Sequence, residues 1–387
     1  MKQVPLMFLG DSPSIPGGLS RIGRDLAIIA AGMEEFRVGF LGRGGLPSTK
    51  LPFAQYNYPE YHQWGEAYLQ DAWEDFSQGE KGVVMTIWDP SRVQWLGNPI
   101  GLPNERWLRA RPFDLWGYFP IDATGPQGKL TSPSCEALRG FNRVLAYGMF
   151  GAMVLENSLS MDGAIEFLPH GINMERFQPR DGKAVKVGMK LPSTSKLVGV
   201  VMTNQERKDW GLAFEVISLL VQKIPDIQVW CKTDSVDRYW DMRALAYDFG
   251  VWNNVNVDLT YITDQDMSFM YSACDCTFLP SLGEGFGYPI VESLACGTPC
   301  VHGYYAGGAE LVPNLSWLVK PIGYRYETRY NCRRPVYSAV DWVEAIMGVL
   351  EKEKPVEFCR DNAAFYDWQT LKEQWVKWFR EGVASEA

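Results

Sequence analysis

No apolar run in these 387 residues is long enough to cross a membrane, which excludes an integral helical membrane protein. No two cysteines have the C-x2-C spacing of a structural zinc site. The eight thiols, at 135, 231, 274, 276, 296, 300, 332 and 359, are scattered. Cys274-Asp275-Cys276 comes nearest, but on a strand alternate side chains share a face, so packing accounts for this pair. Net positive charge is lacking too. With 37 Lys and Arg against 46 Asp and Glu, the formal charge is −9, which excludes a globally basic nucleic-acid binder and leaves room only for a local basic groove. Scattered thiols without a secretory leader point to the cytoplasm, where peripheral attachment at a membrane surface stays open.

What the sequence does have is length and apolar content for two domains with sizeable cores: 46% hydrophobic and 21% charged residues. Aromatics are plentiful, with 15 Trp, 18 Tyr and 19 Phe. They suit large cores and surface grooves, or carbohydrate and nucleoside sites.

Strand-like apolar runs fall at 4–9, 37–41, 82–88, 113–120, 144–147, 197–202, 227–231, 255–259 and 274–279. After the first comes a Gly17-Gly18 turn. A helix over 21–31 follows, with Ile22, Leu26, Ile29 and Ala30 at helical spacing, Ser20 as its cap and Gly32 as its stop. Residues 42–59 read as a long loop and 180–192 as a polar linker. Asp264-Gln265-Asp266 reads as the cap of a helix over 267–272, and no metal is assigned to it. The tail from Phe365 through Trp378 has the pattern of an amphipathic helix.

Several residues stand where a sheet presents ligand-binding loops. Arg21 lies at a helix start within reach of an anion. Asp89 lies just past a strand end, on the ligand-bearing edge or as a helix cap. Asp122 also follows a strand, as a site residue or in an Asx turn. Arg207 and Lys208 open a helix, where cations oppose the helix dipole unless an anion is near. An arginine offers phosphate a planar fork, a lysine a point charge. Lys232 and Thr233 end a strand, where a nucleotide base could lie.

One stretch, residues 279–299, combines a strand end, a turn rich in Gly283, Gly285 and Gly287, and a short helix with Pro289 near its start and Gly297 at its stop. Such a junction aims backbone N–H groups and a positive helix end at one spot, a ready anion site. Glu284 and Glu292 lie on either side of the turn. Glu292 falls in an otherwise core-facing segment, so its carboxylate requires a partner, for which a ligand's hydroxyl pair would serve.

The E-x7-E spacing within PSLGEGFGYPIVESLACGTPCV resembles the retaining glycosyltransferases of the GT-B fold, most closely family 4 (glycosyl transferases group 1). Phe167-Leu168-Pro169-His170-Gly171-Ile172-Asn173, the Asn204-Gln205-Glu206-Arg207-Lys208 block and Gly307-Gly308-Ala309-Glu310-Leu311 resemble further elements of that family. The likeness implies two Rossmann-like α/β domains facing across a cleft: residues 1–180 on the acceptor side, 181–355 binding the donor, and 356–387 as a helix returning to the first domain. It implies a nucleotide-diphosphate sugar as donor substrate, UDP- or GDP-linked, and no tightly bound cofactor or essential metal. Glu284 would contact the donor sugar and Glu292 the ribose. Arg207 and Lys208 would clamp the diphosphate, although Thr203 stands where arginine is common. Gly285, Phe286, Gly287 and Tyr288 would complete the donor loop, with Gly17 and Gly18 lining the cleft. Tyr118-Phe119-Pro120-Ile121-Asp122 resembles the Y-x-P-x-D of some relatives and makes Asp122 a catalytic candidate. His170, Asp89 and Arg21 would border the cleft. The acceptor stays open among glycans, lipid-linked and small molecules, and hydroxymethylated DNA bases. Epimerases and phosphorylases share the fold.

Overall fold

The protein is described from a computed structural model, over residues 2–159, 165–328 and 330–384. The chain forms two units, Met1–His170 with Leu371–Ala387, and Gly171–Thr370. The divisions read from the sequence, at 180 and 355, both fall inside the second unit.

The first unit holds a six-stranded sheet made of β1 (Val4–Asp11), β2 (Phe36–Arg43), β3 (Ala54–Tyr58), β4 (Gly82–Thr86), β5 (Phe113–Phe119) and β6 (Arg143–Ala146), in the order β3-β2-β1-β4-β5-β6. Every pairing is parallel, with Leu6 beside Val38 on one flank and beside Val83 on the other. Parallel sheets are covered on both faces, which is why β1 reads as an unbroken apolar run and Leu6 through Leu9 are fully buried. The second unit holds β7 (Leu197–Val201), β8 (Gln228–Lys232), β9 (Val255–Asp258), β10 (Cys276–Leu279), β11 (Cys300–Gly303) and β12 (Leu318–Val319), ordered β12-β11-β10-β7-β8-β9 and again all parallel. A small antiparallel hairpin, β13 (Gly323–Tyr326) with β14 (Arg333–Val336), follows. The aromatic surplus is chiefly core: Trp73, Trp88, Trp116, Trp210, Trp230, Trp342 and Trp375 are all buried to within 2%.

Four local expectations are corrected. The loop 42–59 contains β3, an edge strand whose Gln55, Tyr56 and Asn57 alternate too weakly in polarity to announce it. The linker 180–192 contains a helix, Gly182–Gly188, capped by Asp181; its Lys186 is buried against Asp275 at 2.8 Å and tethers it. The first helix starts earlier than expected, at Gly18, with Gly17 as its cap and Ser20 buried inside it. The helix Asp264–Ala273 is capped by Thr263, whose side chain and that of Asp266 form a reciprocal capping box.

The final helix, Trp368–Ala384, shows how the tail joins the first unit. Phe379 meets Phe8 and Phe36 edge-on at 6.3 and 5.9 Å, Trp378 lies 5.2 Å from Trp116, and Trp375 Nε1 donates to the Pro169 carbonyl at 3.0 Å. Burying such rings is worth about 2–3 kcal/mol each, so the tail is part of that unit's core. Where the chain leaves the first unit and where it re-enters it, its segments are bonded together: Ile172 N–H donates to Tyr366 O at 2.8 Å and Trp368 N–H to Ile172 O at 3.0 Å. A Cβ on Gly171 would lie 2.7 Å from the Trp368 ring, so only glycine permits this approach.

Candidate active site

In a doubly wound sheet, ligands lie beyond the carboxyl ends of the strands where the winding direction reverses. In the second unit that point falls between β7 and β10. The loop after β7 carries Asn204 through Lys208, and the loop after β10 carries Pro280 through Gly287. The two loops are bonded together: Leu282 N–H donates to the Arg207 carbonyl at 2.8 Å. The first of them is also pinned from behind. Buried Asn204 donates to the carbonyls of Ser235 and Trp240 and accepts from the Trp240 amide.

Glu284 is buried there between two cations. Lys208 Nζ bonds its Oε1, and Arg207 Nη1 lies 3.4 Å from its Oε2 and 3.2 Å from the Gly283 carbonyl. Burial raises the carboxyl's pKa, but the Lys208 and Arg207 charges and the Lys208 hydrogen bond outweigh it and hold the group down at about 2. Glu284 is therefore an anion at neutral pH, and it answers why two cations sit just ahead of the helix Trp210–Lys223. The helix Tyr288–Ala295 begins from Gly287, at φ +112°, which supplies no side-chain cap for its first amides. Those amides and the two cations give this corner the makings of an anion site. Phe286 packs edge-on against Tyr288 and Tyr366, at 5.6 and 5.7 Å.

Glu292 is buried on that helix, as expected, and its Oε2 accepts from Tyr271 Oη at 2.9 Å. The tyrosine comes from the preceding helix, and nothing in the spacing announced it. Lys232 and Thr233 end β8, but Lys232 Nζ is held by the Thr260 carbonyl at 2.5 Å and the Asp258 carbonyl at 3.2 Å. Its charge is turned toward the β9 side. The sequence reading also missed His302 at the end of β11; it is fully buried, and its Nδ1 donates to the Leu279 carbonyl at 2.7 Å.

The first unit brings its own candidates to the equivalent edge. Gly17, Gly18 and Arg21 follow β1, Asp89 follows β4, and Asp122 follows β5. Asp89 caps the short helical turn Pro90–Arg92, accepting from Ser91 N–H at 2.8 Å. Burial and the neighbouring Asp122 carboxylate raise its pKa, so the two acids are close enough to repel. His170 is fully buried, with Nδ1 3.0 Å from Tyr118 Oη and its ring edge-on to Tyr147 at 4.8 Å. Burial and then the Arg21 charge push its pKa well below the usual value, so it is neutral.

Two six-stranded parallel sheets with this strand order, each carrying its loops at the switch point, define the GT-B fold. The second unit can be placed more narrowly: residues 186–364 match the family model described as "Glycosyl transferases group 1". A D-inositol 3-phosphate glycosyltransferase of Mycobacteroides abscessus is 25% identical over 227 residues, 57% of this chain and 47% of that protein. The chain spans about half the length of the curated relatives it matches. Among solved structures, sucrose-phosphate synthase from Thermosynechococcus elongatus superposes with a TM-score of 0.77 at 16% identity, covering 99% of this chain and 100% of that one. Anabaena Alr3699/HepE, solved in complex with UDP and glucose, gives 0.70 at 16% identity, covering 99% and 100%. No helix among the described residues is long and apolar enough to cross a membrane.

Proposed function

We propose that this protein is a retaining, family-4-like glycosyltransferase that moves a hexose from a UDP- or GDP-sugar to a hydroxyl group of a glycan, lipid-linked or small-molecule acceptor. The observation that carries the reading is the cluster of buried Glu284 and Lys208 with partly buried Arg207, beside the uncapped helix start at Gly287. Negative charge develops on the departing diphosphate. Arg207, Lys208 and the Gly285–Gly287 amides would neutralise it, and preorganised charge of this kind is usually the largest single contribution to such a rate. Glu284, ionised at working pH, would then turn its oxygens to the sugar hydroxyls and Glu292 would hold the ribose. The leaving phosphate itself would help deprotonate the acceptor, so no protein nucleophile and no metal enter the scheme. Asp122 would serve the acceptor side, with Asp89, Arg21 and His170 shaping its surroundings.

A thermal-shift panel of UDP- and GDP-sugars, followed by mass spectrometry of products with candidate acceptors, tests the reading. The expected result is stabilisation by one nucleotide family and a product heavier by one hexose. Silence across the panel, or an epimer or free sugar formed from donor alone, would overturn it.

A further inference from the structure

We infer that His302 is a sugar-recognition residue of the donor site, its Nε2 accepting a hydrogen bond from a hydroxyl of the transferred hexose. The inference rests on the glycosyl-transfer reading and adds to it a residue and a chemical requirement on the substrate.

His302 lies beside Leu279 in the β10–β11 register, and its Nδ1 is 2.7 Å from the Leu279 carbonyl. A carbonyl only accepts, so Nδ1 carries the proton, and in a neutral ring Nε2 is then a bare acceptor. The ring is neutral: burial lowers its pKa and the Lys208 charge lowers it further, against the opposing pull of Glu284 and the Leu279 bond. Nε2 itself is buried and has no hydrogen-bond partner among the described residues.

Its position separates it from the other orphaned atoms, several of which are indole N–H groups of Trp73, Trp88, Trp95 and Trp342. A Cβ built on Gly308 would lie 2.5 Å from His302 Nε2 and 3.1 Å from Glu284 Cβ. The acceptor nitrogen and the base of Glu284 therefore flank one glycine. That glycine's amide donates to the Glu284 carbonyl at 3.2 Å. A buried acceptor without a donor is costly, and the preceding residues of the strand, Cys300 and Val301, show that this position lies in an apolar run. An acceptor kept at the margin of Glu284 suits a ligand that brings its own donor, and a sugar hydroxyl is such a group. Fluorine or hydrogen at that ring position cannot donate. A site built to bond a hydroxyl strongly rejects the analogue that lacks it.

The test compares wild type with His302→Phe and His302→Gln in the full chain, each checked for folding by its melting temperature. Titrations use UDP and GDP alone, UDP-glucose and GDP-mannose, and the deoxyfluoro analogues of whichever sugar binds. His302→Phe should hold the free nucleotide within about twofold of wild type and lose about tenfold or more in nucleotide-sugar affinity. The amide oxygen of Gln should restore part of that loss. One deoxyfluoro analogue should bind wild type about tenfold worse than its parent, a difference that vanishes in His302→Phe. Equal losses for nucleotide and nucleotide sugar would mean a structural role and overturn the inference, as would unchanged binding of both. Should wild type bind no nucleotide sugar, the function reading falls and this inference with it; should wild type bind while His302→Phe is unaffected, this inference alone falls.

Discussion

Counted from its own first strand, each sheet runs 3-2-1-4-5-6, so in both the winding reverses between the first and fourth strands. In the second unit the loops at that point hold a buried carboxylate locked between two cations. In the first unit the same point holds Asp89, made harder to ionise by burial and then by the nearby Asp122, and a neutral buried histidine lies in the same unit. Identical topology thus supports opposite electrostatics. One edge is organised around opposite charges, the other around like charges and aromatic rings. The fold supplies the place, and the side chains decide what can bind there.

The largest expected effect breaks the second edge. Glu284→Ala should cut transfer by about a thousandfold and lower the melting temperature, because Lys208 and Arg207 lose their buried partner, a change that typically costs about 3–5 kcal/mol. Retained activity in a folded variant would end its assignment. Next comes Lys208→Ala, expected to weaken nucleoside-diphosphate binding by about 10- to 100-fold through loss of a charged hydrogen bond. Calorimetry against UDP and GDP would show it. Asp122→Ala probes the other edge: acceptor KM should rise while donor affinity stays within about twofold. If donor affinity fell instead, the division of labour between the two edges would be wrong. Tyr271→Phe, which removes one bond to Glu292, should weaken donor binding by about fivefold, or about 1 kcal/mol.

The remaining contrast is one of pH. Both units carry a buried neutral histidine, His170 and His302, with lowered pKa. Each unfolded histidine takes a proton below about 6.5 that its folded counterpart refuses, so both units lose stability as pH falls through that value. The second unit has a further step at a buried carboxylate. Glu284, held at about 2 against 4.5, adds about 3 kcal/mol above pH 4.5. That contribution is lost as pH falls toward 2. Hydrogen exchange resolved by unit should show the extra step in the second unit, and Glu284→Gln should remove it.

Much of this was legible in the chain because it is local. Apolar β-prone runs announced every strand of the first sheet except β3, whose polar edge character hides it. The glycine turn and Pro289 announced the helix carrying Glu292. Residues 180–192 misled because their polarity resembles a linker, whereas the Lys186–Asp275 contact that gives the helix Gly182–Gly188 its packing joins residues far apart in sequence.

Taken alone, the sequence determined most of the segments that become strands and helices, and it put the acids and bases onto loops at strand ends. Hydrophobic period and turn chemistry act over a few residues, so they can be read that way. The tertiary structure decided which loops meet. Parallel strands need long crossovers, so the neighbours at a switch point are distant in sequence: Lys208 and Glu284 are 76 residues apart and Tyr271 and Glu292 are 21. Only the folded sheet turns a lysine, an arginine and a glutamate into one cluster, and only there does His302 come to lie beside them.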